Sequence, residues 1–267
     1  MNIFNVILIQ PLANGLIVFY RVLLGNMGLA IIGFSLALVM ALRPMTKKYM
    51  DSMKKMKEFQ PQLDKLKKKY KNDKEGLMKA QADFYKQKGI NPGAGCLPMI
   101  LQLVVLFSLL QVFIQALTGS DPTKLNHLLY EPLKFHLGEI INTKFLYLNV
   151  TKPDTFNIPG IPFGIPGPVL ILAALSQMVS AKIASPYLAA EEKAAKKTPG
   201  AADDFQTAMQ TSAVYTFPLM TLLIGGRFPA GVALYWVTFS LYQTYQQYKS
   251  TGLGGLKSWL KALHFKV

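Results

Sequence analysis

The sequence predicts an all-α integral membrane protein: five transmembrane helices, a basic helical hairpin in the cytoplasm and an N-terminal interfacial helix. Two observations carry this. Of 267 residues, 51% are hydrophobic and only 16% charged, yet the formal net charge is +15. Apolar and basic residues must therefore lie in separate blocks, which soluble domains rarely show. Apolar runs of about 17 to 25 residues, able to cross a hydrocarbon core roughly 30 Å thick as helices, recur along the chain and leave little material for a soluble core.

Residues 1–26 form an external or interfacial N-terminal segment. Its first twenty residues hold no Lys or Arg, and Pro11, Asn14 and Gly15 interrupt the apolar pattern. With neither a charged n-region nor a cleavage site, no cleaved signal peptide is expected. Phe4 to Leu24 is long enough for a sixth span, but its breaks and Arg21 suit a helix lying in the interface. Five spans follow, at 27–46, 97–117, 168–185, 207–225 and 228–248, the last two joined by almost nothing.

The stretch 47–96 is the most basic in the chain, with Lys54, Lys55, Lys57, Lys65, Lys67, Lys68 and Lys69 among its lysines. The positive-inside rule puts it in the cytoplasm. Loop 118–167 is then external, loop 186–206 and the basic tail 249–267 are cytoplasmic, and the odd number of spans leaves the N-terminus outside. The external loop sets four lysines (124, 134, 144, 152) against Asp121, Glu131, Glu139 and Asp154, whereas the tail has lysines without acids.

Within the basic block, Met50, Met53, Met56, Leu63, Leu66 and Tyr70 recur at helical spacing. Asn72 and Asp73 supply a turn, and Leu77, Phe84 and Tyr85 mark a returning helix. Pro61 is expected to kink or restart the first arm. Gly89, Asn91, Pro92, Gly93 and Gly95 form a joint into the second span. In the external loop, Leu125, Leu128, Leu129, Leu133 and Leu137 predict a short interfacial helix broken at Pro132, and Lys144 to Thr151 is β-prone. Prolines at 159, 162, 166 and 168 make a connector, and the Ala, Lys and Glu-rich stretch from Pro186 to Asp204 is expected to be mobile.

Catalytic machinery is missing from the sequence. The single cysteine, Cys96, excludes an intramolecular disulfide and a multi-cysteine metal site. His127, His136 and His264 are scattered. No GxSxG, HExxH or phosphate loop occurs, and no carboxylate pair sits in a span, which argues against an intramembrane protease or an ATP-driven pump. No enzyme activity, cofactor or metal is expected. The positive charge lies beside membrane spans, so anionic lipid or ribosomal RNA at a membrane surface suits it better than a specific nucleic-acid target.

Polar groups inside the spans are more informative, because in lipid they must find a partner or line a wet cavity. Gln102, Gln111, Ser176, Gln177, Ser180, Thr216, Thr221, Thr238, Ser240, Gln243 and Thr244 qualify. Individually they suit hydrogen bonds between helices; together they suggest a hydrophilic recess open to the cytoplasm. Arg43 and Lys182, near the inner ends of the first and third spans, either snorkel to the interface or point into that recess.

Three motifs resemble one family. Asn26 to Leu29 through Pro44 to Lys47, followed by Ser52 to Met56 and Gln60, Pro61, looks like the first core span and hairpin of the YidC-type membrane insertases. Asn91 to Pro98 with Gln102 resembles that family's entry to the next span, and Phe228 to Trp236 its last span. The resemblance covers roughly residues 10 to 250.

It implies the five-helix core shared by bacterial YidC and its mitochondrial and chloroplast relatives, and a default home in the bacterial cytoplasmic membrane. It also implies a positively charged, water-containing groove open to the cytoplasm and to lipid. There short hydrophilic segments of nascent membrane proteins would cross while their apolar helices leave sideways into the bilayer. Arg43, Gln102, Ser180, Lys182, Tyr235, Trp236, Ser240 and Gln243 are then the groove residues. The hairpin lysines would meet lipid, the ribosome, the signal recognition particle machinery or the Sec translocon.

The sequence departs from the family pattern at Val39, where the family usually has its groove arginine. Arg43 lies four residues on, on the same face of a continuous helix. Ser180 and Ala181, where glutamines are common, and Ser240, where asparagine is common, depart as well. A translocon-associated assembly factor without autonomous activity and a small solute transporter are the alternatives. The transporter is disfavoured by the lack of internal repeats.

Overall fold

The computed structural model describes residues 5–70, 73–89, 97–113, 122–160, 164–184 and 212–262. The chain is mostly helical and divides into two compact units, one of Met1–Ala41, Leu101–Gln177 and Pro218–Tyr242, the other of Leu42–Ile100, Met178–Phe217 and Gln243–Val267.

The first unit begins with a π-helical turn, Asn5–Ile9, that runs into α1 (Gln10–Val22). A tight turn then reverses the chain into α2 (Met27–Ala41). The three residues that read as breaks are all accommodated within α1. Pro11 sits in the first turn of α1, directly after the π-helical turn. Gly15 faces the Phe34 ring of α2, where a Cβ would overlap it. Asn14 is buried: its amide nitrogen donates to Gln10 O (2.7 Å) and Leu128 O (2.8 Å), and its oxygen accepts from Tyr130 N (2.7 Å). Asn26 caps α2, its side-chain oxygen accepting from Gly28 N (3.0 Å) and Leu29 N (3.2 Å).

The segment 122–160 lies along α1 and the turn after it. Arg21 donates to the carbonyls of Leu133 and Lys134 and stacks over Phe135, and the Tyr20 hydroxyl accepts from Asn142 N (3.0 Å). The expected interfacial helix is absent. Two 3₁₀ turns, Pro122–Leu125 and Glu131–Leu133, take its place. Asn126 holds both backbone groups of Phe135 at 2.8 Å, which satisfies them without a helical ladder, and Pro132 cannot donate to one.

The β-prone stretch does form a hairpin, β1 (Lys144–Phe145) against β2 (Leu148–Asn149). A second small pair joins β3 (Thr155–Phe156) to β4 (Ile165–Pro166). Buried Asp154 ties this region to α6 (Pro168–Ala184): its carboxylate accepts from Leu170 N (2.8 Å) and from the Tyr147 hydroxyl, which in turn accepts from Val169 N (3.0 Å). Two orphan donors at the helix start are thereby satisfied beside a negative charge.

In the second unit, α3 (Arg43–Lys69) and α4 (Lys74–Lys88) form the basic hairpin. Asp73 accepts from Gly76 N (2.8 Å) to start α4, and Gly89 ends it with a left-handed φ of 60°. Phe59 packs edge-on against Phe84, with the Lys88 ammonium 4.9 Å from the Phe59 ring. Pro61 lies inside α3 without ending it, so of the kink or restart expected there the restart does not occur.

The break comes earlier. The first span, expected over 27–46, closes as a helix at Ala41, and Arg43 opens α3 with Pro44 in its first turn. Pro44 has no N–H to give Met40, so the ladder is interrupted there.

The remaining helices are α5 (Leu97–Val112), α7 (Phe217–Gly225, entered through a π-helical turn at Ser212–Thr216), α8 (Ala230–Thr251) and α9 (Leu256–Ala262). The last falls in the segment expected only as a basic tail. Most of the joint 89–95, the end of the second span and the loop 186–206 lie outside the described residues. Among those that are described, Asn5–Val22 is long and apolar enough to cross a membrane by length and composition. Met27–Ala41, Gln102–Val112, Pro168–Ala184 and Ser212–Gly225 are shorter apolar helices.

Removing the Asp154 carboxylate strands two donors, the Tyr147 hydroxyl and Leu170 N. Asp154→Ala is expected to cost roughly 1–3 kcal/mol and to lower the thermal unfolding midpoint of the detergent-solubilised protein by several degrees. Glu75→Ala, which breaks only the exposed Glu75–Lys79 pair, should leave it nearly unchanged. Partial burial raises the Tyr147 pKa above its ordinary 10.0, with the Val169 N–H opposing and Asp154 adding to the rise. A raised folded-state value means the hydroxyl's contribution is intact below pH 10 and is lost as the pH climbs through the folded value. Alkaline unfolding of Tyr147→Phe should therefore depend less on pH above 10 than that of the parent protein.

Candidate functional site: polar groups on the apolar helices

In the first unit, α5 and α8 are joined by the Tyr235 hydroxyl, which donates to Gln102 Oε1 at 2.9 Å. A second polar pair joins α7 to α6, Thr221 donating to Gln177 Oε1 at 2.8 Å. In hydrocarbon each amide and hydroxyl would otherwise lie unsatisfied. The smaller hydroxyls turn inward on their own helices instead. Ser108 donates to Val104 O (2.8 Å), Ser176 to Ala173 O (2.9 Å) and Thr238 to Leu234 O (2.8 Å). Two of the candidate groove residues, Gln102 and Tyr235, are thus brought into contact, whereas the hydroxyls of Ser176 and Thr238 need no neighbour.

Trp236 is buried, edge-on to Phe228 at 6.4 Å and close to Gly225. The segment before it is pinned by backbone. Ala230 N donates to Lys152 O (2.8 Å), Gly231 N to Val150 O (2.9 Å), and Pro229 bridges to Pro153. Gly231 has to be glycine because the Phe113 ring occupies the place of a Cβ. Ser240 is buried on the same helix.

In the second unit, Lys182 is only 4% exposed and its ammonium lies 4.9 Å from the Trp259 ring of α9. Trp259 also meets Tyr215 at 6.3 Å. Gly254, at a φ of +48°, brings the tail against the Ile183 carbonyl. The Lys182 cation therefore meets an aromatic face of the C-terminal helix. Trp259 was not legible as a site residue; the glycines at 252, 254 and 255 before a lone tryptophan were the available signal.

Ser180 and Gln243 are half-buried. Thr244 Oγ1 and Gln246 Nε2 are buried and take no hydrogen bond among the described residues.

Arg43 is exposed at the start of α3, and Val39 is packed in the core of the first unit on α2. Because α2 ends at Ala41 and α3 begins at Arg43, Val39 and Arg43 belong to successive helices. Of the hairpin lysines, Lys55, Lys65, Lys68 and Lys69 are exposed, while the side chains of Lys54, Lys57 and Lys67 lie outside the described ones. Among the described residues no group of three His, Cys, Asp or Glu is arranged to hold a metal.

A family model described as the 60Kd inner membrane protein matches residues 18–252. The chain belongs to this family. A membrane protein insertase YidC from Fusobacterium nucleatum is 31% identical over 224 residues, covering 84% of this chain and 85% of the relative. Proteins of the same name from Pelobacter propionicus (31% over 245 residues) and Leptospira interrogans (29% over 260 residues) cover 90% and 92% of this chain. The chain spans only 38% and 35% of those two longer relatives.

All eight candidate groove residues fall inside the range that the 60Kd inner membrane protein model matches, and α9 with Trp259 falls beyond it. The Lys182–Trp259 contact thus joins a residue inside the matched range to one beyond it.

If the Gln102–Tyr235 hydrogen bond ties α5 to α8, the double-mutant cycle of Tyr235→Phe and Gln102→Leu should show a coupling of roughly 0.6 kcal/mol, the mean for such bonds between membrane helices. Reversible unfolding in mixed micelles measures it.

Proposed function

We propose that this chain is a membrane protein insertase of the bacterial cytoplasmic membrane, its substrates nascent membrane proteins and its medium the lipid bilayer. The observation that carries the reading is the match to a relative of nearly the same length named membrane protein insertase, over 84% of this chain. The chain crosses the bilayer five times, with the N-terminus outside and the C-terminus in the cytoplasm. The lysine-rich α3–α4 hairpin supports that orientation through the positive-inside rule.

The helix α1 lies in the outer interface. Its residues Asn14 and Arg21, seven positions or about 10 Å apart, both hold irregular backbone of the external segment. These bonds to the external segment support an interfacial α1.

Insertion uses a hydrated groove open to the cytoplasm and lined by Arg43, Gln102, Ser180, Lys182, Tyr235, Trp236, Ser240 and Gln243. Two features support it. The 15 residues of α2 extend roughly 22 Å, short of the ~30 Å hydrocarbon core, so a thinned bilayer matches them with less mismatch. Thr244 Oγ1 and Gln246 Nε2 are polar groups that dry surroundings penalise and water would satisfy. Wetting and thinning lower the desolvation cost of a short hydrophilic tail, and the substrate's apolar helix departs into lipid without nucleotide hydrolysis. Arg43 supplies positive charge at the cytoplasmic mouth, and the hairpin receives substrates or docks the ribosome, the signal recognition particle machinery or the Sec translocon.

The test is insertion of a short single-spanning protein into liposomes holding only this purified chain, scored by protease protection of the translocated tail. Protection above empty liposomes is expected, and Arg43→Ala should reduce it severalfold; full activity in that variant removes Arg43 from the mechanism. Deleting residues 47–96 should impair insertion while the protein still reaches the membrane. No protection at all, with a known insertase active in parallel, would instead favour an assembly factor that works only with the translocon.

A further inference from the structure

Among the described residues of the first unit, two other than glycine have a positive φ, and both are leucines at the tips of turns. Leu24, at φ 58°, stands in the turn between α1 and α2, and Leu146, at φ 52°, is the first residue of the two-residue β1–β2 turn. Such positions favour glycine or asparagine, because a Cβ is strained there. In water neither leucine relieves that strain, since their side chains are 89% and 82% exposed.

The tips are neighbours. Asn26, two residues past Leu24, donates to the carbonyl of Lys144, two residues before Leu146, at 3.0 Å. Leu137 and Ile140, 91% and 87% exposed, lie just before Asn142, whose carbonyl accepts from Met27 N at 3.0 Å beside the same turn. Four of the most exposed large apolar side chains among the described residues thus lie at one end of the α1–α2 hairpin. Arg21 and Lys144 flank them at the same end and are exposed.

We infer that these two turns, with Leu137 and Ile140, form an anchor that enters the phospholipid interface of the leaflet on which the external segment sits. The leucines reach the upper acyl region, and Arg21 and Lys144 meet the phosphates. The membrane is the occupant because the surface is continuous with the apolar helices of an inner membrane protein. Cations bordering an apolar tip also suit the headgroup boundary rather than a protein groove. The inference extends the membrane placement proposed above and concerns lipid contact, not substrate transfer.

The test uses the full-length chain with its single cysteine removed as Cys96→Ser. Leu146→Cys and, separately, Leu137→Cys are labelled with the polarity-sensitive dye NBD and reconstituted into phosphatidylcholine and phosphatidylglycerol vesicles without substrate. Blue-shifted emission, quenched by lipids carrying a nitroxide high on the acyl chain and insensitive to aqueous iodide, is expected at both sites. A label on Lys79→Cys, in the exposed face of α4, should behave oppositely. Iodide quenching at positions 146 and 137 equal to that at 79 would overturn the anchor. Because no substrate is present, that result leaves insertase activity untouched, and loss of insertion in the liposome assay leaves the anchor untouched.

Discussion

Backbone next to a bilayer has to find its hydrogen-bond partners within the protein. In this chain the demand is greatest over residues 122–160, which have little regular structure. Four short polar side chains meet much of it. Asn14 reaches up from α1, Asn26 sits at the start of α2, Asn126 folds the segment on itself, and Asp154 joins it to the start of α6. Each asparagine holds two or more backbone groups from a single side chain, and Asp154 holds one backbone N–H together with the Tyr147 hydroxyl. Because Asn14 and Asn26 belong to helices, the fold of the irregular segment and the packing of α1 on α2 depend on one another.

The same dependence explains what the sequence disclosed. Hydropathy and the lysine block located the apolar helices and the hairpin, since those signals follow from composition over many residues. The β1–β2 hairpin was visible in the run of β-prone residues after Lys144. The 3₁₀ turns that replace the expected leucine-rich helix were not visible, because the decision rests on one asparagine bonding to a backbone nine residues away. Pro11 and Pro61 misled in opposite ways to Pro44. The first occupies a helix start and the second sits inside an unbroken helix, whereas Pro44 coincides with the real interruption.

The candidate site was legible in part. Of the pair that meets between α5 and α8, Gln102 was singled out by being polar in apolar surroundings, a property it carries by itself, and Tyr235 by the resemblance of its motif. The role of Lys182 was not, because its partner Trp259 belongs to a tail that read as featureless. A lysine near the inner end of a span has two outlets, water or an aromatic face, and only the second requires a helix that the apolar pattern does not announce.

The departure at Val39 follows from the same physics. A buried valine within the core of the first unit is compatible with close packing, whereas an arginine there would need a partner or water at a cost of roughly 3 kcal/mol on insertion scales. Moving the cation to position 43, past the break imposed by Pro44, puts it on an exposed helix start instead of in packed apolar surroundings. In the proposed mechanism, charge at that position would act on an entering polypeptide through solvent, over a Debye length of about 8 to 10 Å at ordinary ionic strength. A groove of this kind would attract by its mouth more than by its wall, so its dependence on Arg43 should weaken as salt is raised, whereas the Gln102–Tyr235 pair, buried and uncharged, should be indifferent to salt.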